Sequence, residues 1–164
     1  MKKLLTITIL LILTALIFQA CSRKEFNDSL TCQQLSSRLE SEISAPRGEF
    51  EEYSTEELNF LFSDSELYDD ACVIYSVDST DICELGVLHA SSKENAKKLY
   101  EDAKLYIKSL QEQKSEFLRN YSPAELTKLN SAEARCYGNY VIFTVAEQSN
   151  GDEVFKKAEM ILSK

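Results

Sequence analysis

Between Lys93 and Leu118 the apolar residues Ala96, Leu99, Tyr100, Ala103, Tyr106, Ile107, Leu110, Phe117 and Leu118 recur at intervals of three and four, with Lys and Glu on the other side. That spacing lines them up along one stripe of an α-helix. Ser91 and Glu94 read as a capping box at its start. The run predicts a helix of about seven turns. A helix so long, apolar on one side only, has to lie on an apolar surface that the rest of the chain supplies.

Two strand pairs provide it. Ala71–Val77 (ACVIYSV) and Ile82–His89 (ICELGVLH) are rich in β-forming residues, and Asp78-Ser79-Thr80-Asp81 between them is turn chemistry. A four-residue loop pairs Val77 with Ile82, which puts Cys72, Ile74, Ser76, Cys83, Leu85 and Val87 on one face. Ala134–Tyr137 and Tyr140–Ala146 form a second, tighter hairpin around Gly138-Asn139, with Cys136, Val141, Phe143 and Val145 sharing a face. Shorter helices are predicted from a cap at Asp28 or Ser29 to Ile43, from Thr55 to Phe62 behind a Ser54/Glu57 capping box, from Pro123 to about Asn130, and from Gly151-Asp152 onward. Glu49–Tyr53 is acidic and unpatterned. The order predicts an α+β fold: a small antiparallel sheet of two hairpins, with helices, including the long amphipathic one, packed on one face.

The N-terminus reads as an address. Met1-Lys2-Lys3 precedes an uncharged apolar run, Leu4–Phe18, of 15 residues. A membrane-spanning helix needs about 20; the run has the length of a signal-peptide core. Ala20 then stands directly before Cys21, followed by polar Ser22–Glu25. A small residue before a cysteine at this place resembles the bacterial lipobox, from which Phe18 and Gln19 depart. The resemblance implies transfer of diacylglycerol to the Cys21 sulfur and cleavage before Cys21; a plain secretory peptide with an incidental cysteine is the alternative. On the lipobox reading, residues 1–20 are a lipoprotein signal peptide, 21–28 a lipidated tether and 29–164 a single domain. The expected location is the extracytoplasmic face of the cell membrane, with the membrane itself a partner through the lipid anchor. Two acyl chains suffice for stable anchoring.

The residue inventory removes several chemistries. With one histidine, His89, a multi-histidine metal site within one chain is excluded, and no cofactor or metal is expected. Gly48, Gly86, Gly138 and Gly151 are too far apart for either glycine-rich phosphate loop. Eighteen basic against 27 acidic residues give a net charge of −9, with no basic stripe, so nucleic acid is not an expected partner.

From Tyr53 to Glu147 the chain resembles a family of small uncharacterised lipoproteins of Gram-positive bacteria that carry a domain of unknown function. The residues that carry the likeness are Glu56-Glu57-Leu58 with Leu61-Phe62, the Ile82–His89 strand opening into Ser91–Glu94, and Gln113-Lys114-Ser115-Glu116-Phe117. Tyr121-Ser122-Pro123-Ala124-Glu125 and Gly138-Asn139-Tyr140-Val141 complete it. The resemblance implies address and architecture and assigns no activity or catalytic residue. Its members have few cysteines besides the lipidated one, whereas this chain has four more.

Those four are Cys32, Cys72, Cys83 and Cys136. The hairpin register separates Cys72 from Cys83 by roughly 14 Å along the ladder. A disulfide needs Cα atoms within about 7 Å, so this pair is not expected to bond. Free, core-packed thiols are the favoured reading for all four, with a bridge from Cys32 on the first helix to one of the strand cysteines as the alternative. His89 ends a strand on the side of Cys83, which lies deeper. Tyr137, Asn139 and Tyr140 at the second turn are candidate binding contacts. The acidic run from Glu49 to Glu57 reads as a solvated face. With no convergent catalytic groups in view, the expectation is a module that binds an envelope protein or small ligand rather than an enzyme. The alternative is a small extracytoplasmic hydrolase using His89 with Cys83 or an acidic residue.

Overall fold

The computed structural model describes residues 25–43, 49–62 and 65–164. The elements in order are α1 (Cys32–Leu39, continued by a 3-10 turn, Glu40–Glu42), β1 (Phe50–Glu52), α2 (Thr55–Leu61), β2 (Tyr68–Ser76) and β3 (Glu84–Ala90). They are followed by α3 (Lys93–Tyr121), α4 (Pro123–Asn130), β4 (Glu133–Tyr137), β5 (Tyr140–Val145) and α5 (Gln148–Leu162). Among them no helix is long and apolar enough to cross a membrane. The expected signal peptide, residues 1–20, and the expected lipidation site, Cys21, lie outside the described residues.

The fold is α+β, and both expected hairpins belong to one antiparallel sheet in the order β1-β2-β3-β5-β4. The Val77/Ile82 register extends faithfully: Ile74 faces Leu85 and Cys72 faces Val87. The second hairpin turns at Gly138, whose φ of +67° an L side chain adopts only at a cost. The helices divide between both sides of the sheet, where packing on a single face was expected. The cause is that β3 and β5 are buried along nearly their whole length. Cys72, Ile74, Leu85, Val87, Tyr140 and Ile142 meet α1 and α5 on one side. Val73, Leu88, Val141 and Phe143 meet α2 and α3 on the other. A strand covered twice reads as a nearly continuous apolar run.

Local chemistry fixes the element ends. Ser54 and Glu57 form the anticipated reciprocal cap on α2. On α3 the capping side chain is Ser92, which accepts from the Asn95 amide, instead of Ser91. Thr31 and Gln34 cap α1, so that helix starts at Cys32 and Asp28 is freed for another role. The acidic 49–53 stretch contributes β1, an edge strand paired to β2, whose charges face solvent. Residues before α5 continue the helix back to Gln148. A buried ion cluster pins the β2–β3 turn to α4: Lys128 Nζ lies 2.7 Å from Asp81 Oδ1 and 3.0 Å from Glu125 Oε1.

Candidate functional site

The site is built from three separate parts of the chain. β3 carries His89 to its end, opposite Asp70 of β2. Between Tyr68 and Asp70 the register shifts by one residue, and Asp69 is the extra one. A bulge re-aims side chains, and here two consecutive aspartates reach the same side of the sheet. Asp70 Oδ2 accepts from the Cys32 amide at the start of α1, 2.7 Å away. Asp69 Oδ1 lies 2.6 Å from His89 Nδ1. The third part is the N-terminal segment. Phe26 bridges to Ser163 in antiparallel fashion and sets its ring edge-on to Tyr137, with centroids 5.7 Å apart. This delivers Asp28 Oδ1 to 2.9 Å from His89 Nε2.

Both ring nitrogens of His89 therefore face a carboxylate. Only the imidazolium has a proton for each. Burial opposes that charge, but the hydrogen bonds the ring donates to Asp69 and then to Asp28 outweigh it, and the His89 pKa is raised above its ordinary value. The imidazole side chain is 17% exposed, while Asp28 and Asp69 keep about half of their surface open. The Tyr140 ring meets the imidazole edge-on at 4.8 Å and fixes its plane. Asn139 Nδ2 donates to Asp28 Oδ2 at 2.7 Å, its backbone carbonyl accepts from Ala90, and its own buried Oδ1 has no donor among the described residues. A cavity of about 290 Å³ borders Asp28 and Asn139, with Lys93 and Lys164 on its wall.

This arrangement corrects the expectation of a non-enzymatic module. A largely buried histidine clamped by two carboxylates, one of which lines a cavity, is a convergent acid–base group, of the kind found at catalytic sites. It also decides between the two partners weighed for His89. Cys83 sits at the other end of β3 and is 1% exposed, roughly 20 Å from His89 at the strand rise; the acidic residues are the ones in reach. Of the three turn residues singled out, Asn139 joins the cluster. Tyr137 and Tyr140 are interior: the Tyr137 hydroxyl donates to the Phe155 carbonyl and the Tyr140 hydroxyl to that of Leu30. All four cysteines within the domain are free, three buried and Cys136 exposed. Burial first of all pushes their thiols up, Cys72 to about 11 and Cys83 to about 12.

Sequence reasoning missed Asp28 and Asp69. The signal for Asp69 lay within reach, because carrying the Val77/Ile82 register back along the strands brings Asp70 opposite His89. Nothing local marks Asp28, which is 61 residues from its partner. No curated protein and no solved structure matches the chain. A family match covers residues 34–146, which takes in Asp69, His89 and Asn139 and begins after Asp28: the chain belongs to the family described as Domain of unknown function (DUF4358).

Proposed function

We propose that Asp28, His89 and Asp69 form the acid–base centre of a small hydrolase, held at the extracytoplasmic face of the membrane by acyl chains on Cys21. The observation that carries the enzymatic reading is the two-sided clamp, at 2.6 and 2.9 Å, on the chain's single histidine. The anchor rests on the lipobox-like Ala20-Cys21 alone.

In this reading Asp69 holds the imidazole ring and its charge through Nδ1, the orienting role a carboxylate plays toward a catalytic histidine. Nε2 carries the proton that is delivered. Asp28 borders the cavity, and its carboxylate takes the proton of an attacking water while His89 gives one to the leaving oxygen of an ester bond. The proton count balances, and the pair is reset by exchange with solvent. Lys93 and Lys164 share the cavity wall with Glu25 and Asp28, so groups of both charges face a bound ester. As the raised His89 acts as the acid, the rate falls as pH rises through its folded pKa.

The test uses p-nitrophenyl acetate and p-nitrophenyl phosphate, with the full chain and its His89→Gln and Asp69→Asn variants. Turnover of one ester is expected, reduced about 10²–10⁴-fold in His89→Gln, with an alkaline limb that is displaced in Asp69→Asn. Hydrolysis equal to buffer, or unchanged in His89→Gln, would overturn the reading.

A further inference from the structure

On the opposite side of the sheet, β3 carries a second ionisable group that the acid–base centre does not use. Glu84 points toward α3 and is 6% exposed. The Tyr106 hydroxyl donates to its Oε2 at 2.8 Å and the Tyr53 hydroxyl to its Oε1 at 3.1 Å. The carboxylate forms the floor of a cavity of about 380 Å³ between α2 and α3. That volume lies within the range of small-ligand pockets. Phe60 and Leu105 line the cavity while 88% and 61% exposed, an unusual position for two large hydrophobic side chains, and Asp102, Ser109, Gln113 and Lys114 supply polar lining.

Each oxygen of Glu84 already has one neutral donor, and its burial leaves the negative charge poorly solvated. A buried charge wants an opposite charge. Lys114 acts on Glu84 from the same cavity, yet it makes no ion pair with it among the described residues. Phenols placed between an anion and the core stay protonated, so Tyr53 and Tyr106 remain donors that hold the carboxylate in place. We propose that this cavity binds a small amphiphilic amine, its ammonium group on Glu84 and its apolar body between Phe60, Phe62 and Leu105. Burial raises the pKa of Glu84, and an arriving ammonium group supplies the missing counter-charge. The aromatic walls formed by Tyr53, Phe62 and Tyr106 add cation–π attraction.

Calorimetric titration of the full chain with three probes that share one phenethyl body tests this: phenethylamine, 2-phenylethanol and 3-phenylpropionate. Phenethylamine is expected to bind at least about tenfold more tightly than the alcohol, and the propionate not at all. Glu84→Gln keeps a hydrogen-bonding floor without the charge, and it should remove the preference for the amine. Leu105→Arg, on the exposed side of α3, leaves the core untouched and should abolish amine binding by placing a cation at the mouth. The proposal is overturned if the amine and the alcohol bind equally, if no probe binds, or if Leu105→Arg binds phenethylamine as the parent chain does. His89→Gln leaves this binding unchanged, which separates the cavity from the acid–base centre.

Discussion

Replacing Lys128 with Met tests whether the ion cluster under the β2–β3 turn stabilises the fold. The substitution keeps most of the length of the side chain and removes the ammonium group, with its charge and its donors. Lys128, Asp81 and Glu125 expose 7%, 5% and 13% of their side chains, so water cannot replace the lost cation. The carboxylates are committed elsewhere: Asp81 Oδ1 also accepts from the Cys83 amide and Glu125 Oε2 from that of Ile82. Asp81 Oδ2 has no donor even with Lys128 present. Stranding a buried charge costs about 3–5 kcal/mol, against a total stability of about 5–15 kcal/mol for such a domain. With a urea dependence of about 2 kcal/mol per molar, the unfolding midpoint followed by far-UV circular dichroism should fall by roughly 2 M. Lys104→Met is the control, because its pair with Glu101 is half exposed on both sides, and an exposed pair contributes under about 1 kcal/mol. The sign of the pH effect follows from the Lys128 ammonium. Burial lowers its pKa, Asp81 and Glu125 raise it by more, and the net shift is upward. Its contribution is therefore complete below the ordinary lysine pKa and is lost only as pH rises through the folded value. Equal midpoints for the two variants at neutral pH would refute the reasoning.

The clamp on His89 gives a second pH dependence. Its raised pKa means that the stabilisation is fully present below about 6.5 and is lost as pH rises through the folded value. Limited proteolysis of residues 25–31 should accelerate over that rise, and His89→Gln should be cleaved fast at every pH. Gly86→Ala would place a Cβ 1.9 Å from Phe143 Cε1; moving a fully buried ring costs about 1–3 kcal/mol, read as a lowered thermal midpoint. Gly138→Ala meets both a φ of +67° and Phe26 Cβ at 3.1 Å. It should cost about 1–2 kcal/mol and increase amide exchange in the 25–28 segment. Iodoacetamide should label Cys136 well before Cys32, Cys72 or Cys83 in the folded chain, because only Cys136 is exposed among them; mass spectrometry of peptides gives the order.

What could be read from the sequence was what local rules decide. The stripe on α3, the Ser54/Glu57 cap, the Gly138-Asn139 turn and the register of β2 on β3 each depend on residues within a few positions of one another. β1 escaped because an edge strand with charges facing water shows no alternation. The division of helices between two faces escaped for the opposite reason: β3 and β5 are apolar on both sides, and such a run does not say which helix covers which side. The acid–base centre needed a bulge at Asp69 and a bridge at Phe26, neither of which has a sequence signature of its own. His89 was visible as a residue, but its surroundings were set by contacts 20 and 61 positions away.

The segment around Phe26 has a mechanical consequence. The Lys164 amide donates to the Glu25 carbonyl and the Asn27 amide to that of Leu162, and then comes the Asp28–His89 contact. A pull applied at residue 25 loads these links one after another, so they peel away singly under modest tension. Such a pull therefore strips Asp28 from the histidine while the sheet and the helices packed on it stay whole.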